Sequence, residues 1–246
     1  MSVALVTGGA GGIGRAIALR LARAGYDVAV VDVDAEGGSE TAQLVEQAGR
    51  RAMFRRADVS VAAEVSAFVE AAERDFGPIA AFANNAGIEG VIAPIDQYPE
   101  EVFDRVQAIN TKGVFLGLKY VLARMRGRGA GVVVNTASTS AIRGRPGLAG
   151  YVAAKHAVLG LTRVAALDMA GTGVRVNAVL PGPIETRMIR SLDEQARQGG
   201  APIRRAGAAP YGRPEDVANA VAFLMSEEAV HMNGAALTID AATTVA

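Results

Sequence analysis

Residues Val3–Asp32 run V-A-L-V-T-G-G-A-G-G-I-G-R-A-I-A-L-R-L-A-R-A-G-Y-D-V-A-V-V-D, and the order of patterns in this stretch decides the fold class. Val3-Ala4-Leu5-Val6 is a short apolar run of the kind that makes a strand buried on both faces. Glycines then crowd residues 8–14, and two registers fit them: Gly9-x-Gly11-x-x-Gly14 and Thr7-Gly8-x-x-x-Gly12-x-Gly14. From Arg15 to Ala24 the spacing turns helical, with Ile17, Ala18, Leu21 and Ala22 on one face and Gly25 as the stop. Val28–Val31 reads as a second buried strand, ending at Asp32. Strand, glycine turn, helix, strand and acid, in that order, is the context a dinucleotide-binding fingerprint requires. The glycines let backbone approach a pyrophosphate, and the helix N-terminus turns unpaired N–H groups toward it. A tight turn without a ligand is the alternative, and the agreement of strands, helix and acid stands against it.

Asp32 bears on which dinucleotide is bound. A carboxylate there accepts hydrogen bonds from the adenosine ribose hydroxyls and repels a 2′-phosphate. No basic residue stands inside the glycine stretch, and Val33-Asp34 follow the acid, so the sequence favours NAD over NADP. Arg15 is the nearest cation and the one residue that weakens the reading.

Downstream, the same alternation continues. Glu36–Ala48 and Val61–Phe76 have helical character and enclose a strand at Ala52–Ala57, which runs into Asp58-Val59. Ile79–Ala83 is a fourth strand, followed by Asn84-Asn85-Ala86-Gly87, where asparagines most simply form a turn. Ile88–Tyr98 reads as a loop, and Glu100–Arg126 reads as one helix with Asn110 and Gly113 near its middle. By spacing alone Asn110 faces solvent, binds water or bends the helix. Gly131–Ala137 contains a fifth strand, Val174–Leu180 a sixth closed by Pro181-Gly182-Pro183, and Ala235–Ile239 a last one. Pro214–Ser226 begins as a helix should, with Pro-Glu-Asp. The segment 184–212, interrupted by Gly199-Gly200, Pro202 and Pro210, is irregular, and reads either as a substrate lid or as a disordered loop. Repeated strand–helix alternation without a linker predicts a single α/β domain over residues 1–246, a doubly wound parallel sheet of seven strands with helices on both faces.

Composition narrows the functional classes. The chain has 246 residues, 50% hydrophobic and 20% charged, ordinary for a globular domain. Twenty-five basic residues balance twenty-five acidic ones, which points away from nucleic acid and from an anionic membrane. Cysteine is absent, which excludes disulfides, thiolate catalysis and cysteine-bound metal. No metal site is expected. The amino terminus enters Val3 without a signal-peptide pattern, and no apolar run is long enough to cross a bilayer, so a cytoplasmic location is the expectation.

The chemistry is expected in S-T-S-A-I-R-G-R-P-G-L-A-G-Y-V-A-A-K, residues 138–155. Val152, Val158, Leu159, Leu161, Val164, Leu167 and Met169 suit a helix from Tyr151 onward. Tyr151 and Lys155 are then i and i+4, with Cβ atoms about 5–6 Å apart. A free tyrosine titrates at about 10, and each tenfold gain in its acidity takes about 1.4 kcal/mol. One positive charge at ~4 Å in an effective dielectric of ~20 supplies roughly 4 kcal/mol. On that reckoning the phenol reaches about 7, where it exchanges protons efficiently. Ser138, at the carboxyl end of its strand, is placed to donate a hydrogen bond to a substrate oxygen. The alternative is a buried tyrosine beside a lysine whose stem merely packs.

Taken together, Thr7-Gly8-x-x-x-Gly12-x-Gly14, Asn84-Asn85-Ala86-Gly87, Asn110, Ser138, Tyr151-x-x-x-Lys155 and Pro181-Gly182 resemble the short-chain dehydrogenase/reductase family over essentially the whole chain. The resemblance implies a Rossmann domain, with a cofactor half at about residues 1–130 and a catalytic and substrate half at about 131–246. It implies a catalytic set of Asn110, Ser138, Tyr151 and Lys155: Tyr151 exchanges the proton, and Lys155 lowers its pKa and holds the nicotinamide ribose. Ser138 binds the reacting oxygen, and Asn110 holds a water linking Lys155 to solvent. The implied cofactor contacts are Gly8, Gly12, Ile13, Gly14, Asp32, Val33, Asp58, Val59, Asn85, Ala86, Gly87, Tyr151, Lys155, Pro181, Gly182, Ile184 and Thr186. Asp58-Val59 would flank adenine, and Ile184 and Thr186 would meet the nicotinamide carboxamide. Within the family the middle of the chain is similar to NAD-linked reductases of cyclic ketones. One departure stands out: the family usually continues its last strand with Asp-Gly-Gly, at a subunit contact near the substrate pocket, and here Asp240 is followed by Ala241-Ala242.

The activity implied is hydride transfer between NAD(H) and a secondary alcohol or ketone, acting on CH–OH groups. Glu89, Val91, Thr139, Ser140, Ile142, Arg143, Pro183 and Met188 are candidates for the substrate pocket, and as a set they select no compound. An NADPH-dependent 3-oxoacyl-[acyl-carrier-protein] reductase would need a basic face and tolerance of a 2′-phosphate at Asp32. A non-catalytic NAD-binding sensor is opposed by the intact Ser138, Tyr151 and Lys155. The helices at 100–126 and 151–170 carry more apolar residues than one sheet face needs, which predicts a homo-oligomer, a homotetramer by the resemblance.

Overall fold

The apolar runs form strands β1 (Val3–Thr7), β2 (Asp27–Asp32), β3 (Ala52–Arg56), β4 (Ile79–Asn84), β5 (Gly131–Thr136), β6 (Val174–Pro181) and β7 (Ala236–Ile239) in the computed structural model, which describes residues 2–198 and 211–245. They join into one parallel seven-stranded sheet of order β3-β2-β1-β4-β5-β6-β7. Parallel neighbours require crossovers, here mostly helical. The helices are α1 (Gly12–Arg23), α2 (Ala35–Gln47), α3 (Ala62–Phe76), α4 (Glu100–Val106), α5 (Gly113–Arg128), α6 (Ala149–Asp168), α7 (Arg187–Gln198) and α8 (Pro214–Met225).

Successive side chains on a strand point to opposite faces, and the two faces hold separate apolar clusters. Val3 and Leu5 pack with Phe68 and Val69 of α3, Val121 and Met125 of α5, and Val158 of α6. Ala4 and Val6 pack with Ile17 and Leu21 of α1 and with Val217, Val221 and Leu224 of α8. The result is the expected doubly wound α/β sheet. Its strand order reverses between β1 and β4, and connections leaving the carboxyl edge in opposite directions open a crevice there.

Two segments differ from the sequence reading. The single helix expected over 100–126 contains a π turn at Gln107–Lys112, between α4 and α5. That wider turn brings Asn110 to full burial rather than to solvent. In segment 184–212, read as an irregular loop, Arg187–Gln198 is helical and buries Leu192 and Ala196. Its apolar stripe is narrow and its other faces are charged, so the glycines and prolines beyond it dominate the pattern. The rest of that loop, residues 199–210, lies outside the described residues. Its base is closed where Gly212 N donates to Pro183 O at 3.0 Å and Glu185 N donates to Gly212 O at 2.8 Å.

Candidate active site

The glycine turn leaves β1 through Gly8 at φ +67°, and Gly12 stands at φ +51°, in the left-handed region that favours glycine. A Cβ on Gly14 would lie 1.9 Å from the Gly8 carbonyl oxygen, so α1 sits directly on the turn. Gly11, by contrast, has open space around it. Of the two registers, Thr7-Gly8-x-x-x-Gly12-x-Gly14 is therefore the one whose glycines the geometry requires.

Hydrogen bonds stitch this turn to the end of β4. Thr7 Oγ1 accepts from the N–H groups of Asn85 at 3.0 Å and Ala86 at 3.2 Å. Asn85 Nδ2 donates back to the carbonyls of Thr7 at 3.2 Å and Gly8 at 3.3 Å. Asn84 has a structural task instead: its amide donates to Val114 O and Asn135 Oδ1 inside the core, at 3.0 and 3.2 Å. At the end of β2, Asp32 accepts from Ala10 N at 2.9 Å and from Asp34 N at 3.1 Å.

A cavity of ≈ 700 Å³ runs along the carboxyl edge of the sheet from Asp32 to Tyr151. Every residue of the expected cofactor set lines it: Gly8, Gly12, Ile13, Gly14, Asp32, Val33, Asp58, Val59, Asn85, Ala86, Gly87, Tyr151, Lys155, Pro181, Gly182, Ile184 and Thr186. A cradle that a Cβ would fill, with a carboxylate at one end and a buried amine at the other, fits a dinucleotide without a 2′-phosphate.

At the opposite end from Asp32, β5 and α6 place Ser138, Tyr151 and Lys155. Ser138 follows β5, is 8% exposed, and its hydroxyl oxygen accepts from Ser140 N at 3.1 Å. Lys155 is 3% exposed and donates from Nζ to the Thr136 carbonyl at 2.8 Å. Burial pushes that amine down to about 8. The Tyr151 phenol is raised above its ordinary value by burial, with a hydrogen bond from Ser138 and the charge of Arg145 pulling down and Glu89 pushing up. This corrects the expected value near 7. The i, i+4 spacing does bring the two side chains together, but Lys155 Nζ lies 5.5 Å from the Tyr151 ring centre and is directed at β5.

Asn110 does not line the cavity; it stands behind it. Its Oδ1 accepts from Ile88 N and its Nδ2 donates to Ile88 O, both at 2.8 Å. A Cβ on Gly87 would meet Asn110 Oδ1 at 3.2 Å and Lys155 Nζ at 3.5 Å, so amide, amine and glycine converge on one point.

Of the substrate candidates, Glu89, Thr139, Ser140, Pro183 and Met188 line the same cavity, and Val91, Ile142 and Arg143 do not. Ile142 is 50% exposed at the end of the short turn Thr139–Ala141, and Arg143 donates to the Thr243 carbonyl at 2.5 Å. Sequence reading missed Arg105, Ile109, Arg145, Leu148, Ile189 and Leu192, which also line it. Helical spacing of Met188, Ile189 and Leu192 was the available signal for the last two; nothing in the sequence distinguishes Arg145 from Arg143. Beyond β7, Ala241 and Ala242 adopt φ 47° and 65°, the backbone that glycines usually supply after such an aspartate. Asp240 holds this turn by accepting from Thr244 N at 2.8 Å and Thr244 Oγ1 at 2.7 Å.

Comparison with known proteins agrees with this geometry. A family model described as Enoyl-(Acyl carrier protein) reductase matches residues 8–244. Levodione reductase of Leifsonia aquatica is 43% identical over 246 residues, covering 97% of this chain and 92% of that protein. A crystal structure of levodione reductase superimposes with a TM-score of 0.94 at 42% identity, covering 100% of this chain and 98% of that one. The 2-(R)-hydroxypropyl-CoM dehydrogenase of Xanthobacter autotrophicus is 42% identical over 245 residues, covering 98% of each. The structure of an NAD+-bound xylitol dehydrogenase matches with a TM-score of 0.90 at 35% identity, covering 97% of each chain. Across nearly its full length, then, the chain belongs to the short-chain dehydrogenase/reductase family.

Proposed function

We propose that this chain transfers a hydride reversibly between NAD(H) and a secondary alcohol or its ketone, with cyclic compounds among its substrates. The observation that carries the reading is one cavity holding the Asp32 carboxylate and glycine cradle at one end and Ser138, Tyr151 and Lys155 at the other. NAD supplies the hydride acceptor when bound. The chain's own residues do the rest. Tyr151 Oη takes the hydroxyl proton in oxidation and returns it in reduction, while Ser138 Oγ donates to the reacting oxygen and stabilises its developing charge. Lys155 anchors the ribose side of the cavity floor. Asn110, locked to Ile88, holds the π turn behind that amine. The first half, about residues 1–130, supplies most of the cofactor cradle, and the second, about 131–246, supplies Ser138, Tyr151 and Lys155 and closes the cavity with Pro181, Gly182, Ile184 and Thr186.

The relatives named levodione reductase, 2-(R)-hydroxypropyl-CoM dehydrogenase and xylitol dehydrogenase favour this reading over an acyl-carrier-protein reductase. The Asp32 carboxylate, already oriented by two backbone N–H groups, opposes the 2′-phosphate that an NADPH-dependent reductase must accept. A panel of cyclic and open-chain secondary alcohols and ketones, assayed with both cofactors by NADH absorbance, tests it; no turnover with NAD on any member would refute it.

Exposed apolar side chains on α5 and α6, Phe115 at 46%, Val164 at 56% and Leu167 at 77%, support assembly as a homo-oligomer, and the family resemblance makes it a homotetramer. Light scattering that finds a monomer at micromolar concentration would refute this. Among the described residues no helix is long and apolar enough to cross a membrane.

A further inference from the structure

We propose that Arg15 is a positioning residue for cofactor choice, acting on Asp32 through both of that carboxylate's supports. Asp32 Oδ2 accepts from Ala10 N at 2.9 Å, and the carbonyl of the same Ala10 accepts from Arg15 at 2.7 Å. Asp32 Oδ1 accepts from Asp34 N at 3.1 Å, at the start of α2. The same guanidinium grips that helix too, donating to Gly37 O at 3.2 Å, Thr41 Oγ1 at 3.0 Å and Glu40 Oε2 at 2.6 Å. Gly37 permits the approach, since a Cβ there would lie 2.7 Å from the Ala10 carbonyl oxygen. One side chain therefore ties the glycine turn to α2 and fixes from both sides the carboxylate between them.

Arg15 does not line the cavity, so it is no cofactor ligand in this arrangement. Its charge is nevertheless one peptide away from Asp32, where a free cation would offset the repulsion of a 2′-phosphate. Glu40 pairs with that charge at 2.6 Å and partly offsets it. The cation that looked from sequence like an argument for NADP is thus occupied in orienting the group that rejects it. The inference rests on the NAD-dependent reading above.

The test is direct titration of NADH and NADPH by cofactor fluorescence, in a chain with no tryptophan to interfere. It uses the full-length wild type, Arg15→Gln and Glu40→Gln, with each variant's fold checked by circular dichroism. Wild type binding neither nucleotide would sink the NAD reading itself. The inference expects wild type to prefer NADH and both variants to narrow that preference by about fivefold to tenfold, the scale of one ordinary net hydrogen bond. Arg15→Gln narrows it through weaker NADH binding and Glu40→Gln through stronger NADPH binding. A folded variant whose preference is unchanged, including one that loses both nucleotides equally, overturns the positioning role and leaves Arg15 a structural brace. If Arg15→Gln fails to fold, Glu40→Gln decides alone.

Discussion

Lys155 Nζ donates to the carbonyl of Thr136 at 2.8 Å and stands 5.5 Å from the centre of the Tyr151 ring. The amine is thus anchored to the floor of the cavity by β5, and burial, not the phenol, sets its affinity for a proton. A lysine made less basic by burial has consequences for stability as well as chemistry.

In the folded chain this amine titrates at about 8, against an ordinary 10.5. Between those values the unfolded chain holds more proton than the folded one, so Lys155 makes stability rise with pH above 8 and adds a constant penalty below it. From pH 7 to pH 9.5 wild type should gain roughly 2 kcal/mol in urea denaturation from this group. Lys155→Met should remove that gain and match or exceed wild-type stability at pH 7, while losing turnover. A variant that keeps the same pH slope would show that burial of this amine is not its source.

Asn110 satisfies both backbone polar groups of Ile88 at 2.8 Å from a fully buried position. Asn110→Leu should leave an N–H and a carbonyl unpaired and cost about 2–4 kcal/mol in chemical denaturation. A loss below about 0.5 kcal/mol, the level of an ordinary surface change, would mean water replaces the amide freely.

Gly14→Ala places a methyl 1.9 Å from the Gly8 carbonyl oxygen, a backbone atom that cannot move without opening the turn. Overpacking of this kind costs about 1–3 kcal/mol or more, and NADH binding should fall with it. Unaltered NADH titration in Gly14→Ala would contradict the cradle assigned to this turn.

At the carboxyl end, Ala241 and Ala242 hold φ 47° and 65°. A left-handed backbone costs a residue with a Cβ about 1–2 kcal/mol, of which glycine's greater unfolded freedom returns part. The double change Ala241→Gly and Ala242→Gly should therefore add about 1 kcal/mol and about 2–4 °C in Tm by calorimetry. A lower Tm would show that the alanines are stabilised by contacts that glycine forfeits.

Much of this architecture was readable in advance because it rests on periodicity and on glycine. The strands are continuous apolar runs, Gly8 and Gly14 sit where only a bare backbone fits, and Gly12 adopts a left-handed φ that favours glycine. Asp32 and Ser138 fall on one cavity because strand ends share one edge of a parallel sheet, and α6 brings Tyr151 and Lys155 to the same edge. What escaped was set by contacts between segments distant in sequence. Asn110 meets Ile88 through a π turn that no local pattern announces. Lys155 meets Thr136 rather than the phenol four residues before it because its long stem reaches β5. The helix Arg187–Gln198 hides its narrow apolar stripe among arginines and glutamates. Arg145 lines the cavity while Arg143 turns to the Thr243 carbonyl, a difference of loop direction that composition does not carry.

The account turns on the phenol of Tyr151, at the cavity end opposite Asp32, being the group that exchanges the substrate's proton. Tyr151→Phe keeps the ring and removes only that oxygen, so kcat on a substrate identified in the alcohol panel should fall about 10²–10⁴-fold while NADH titrates as in wild type. A Tyr151→Phe enzyme that retains most of its kcat would contradict it.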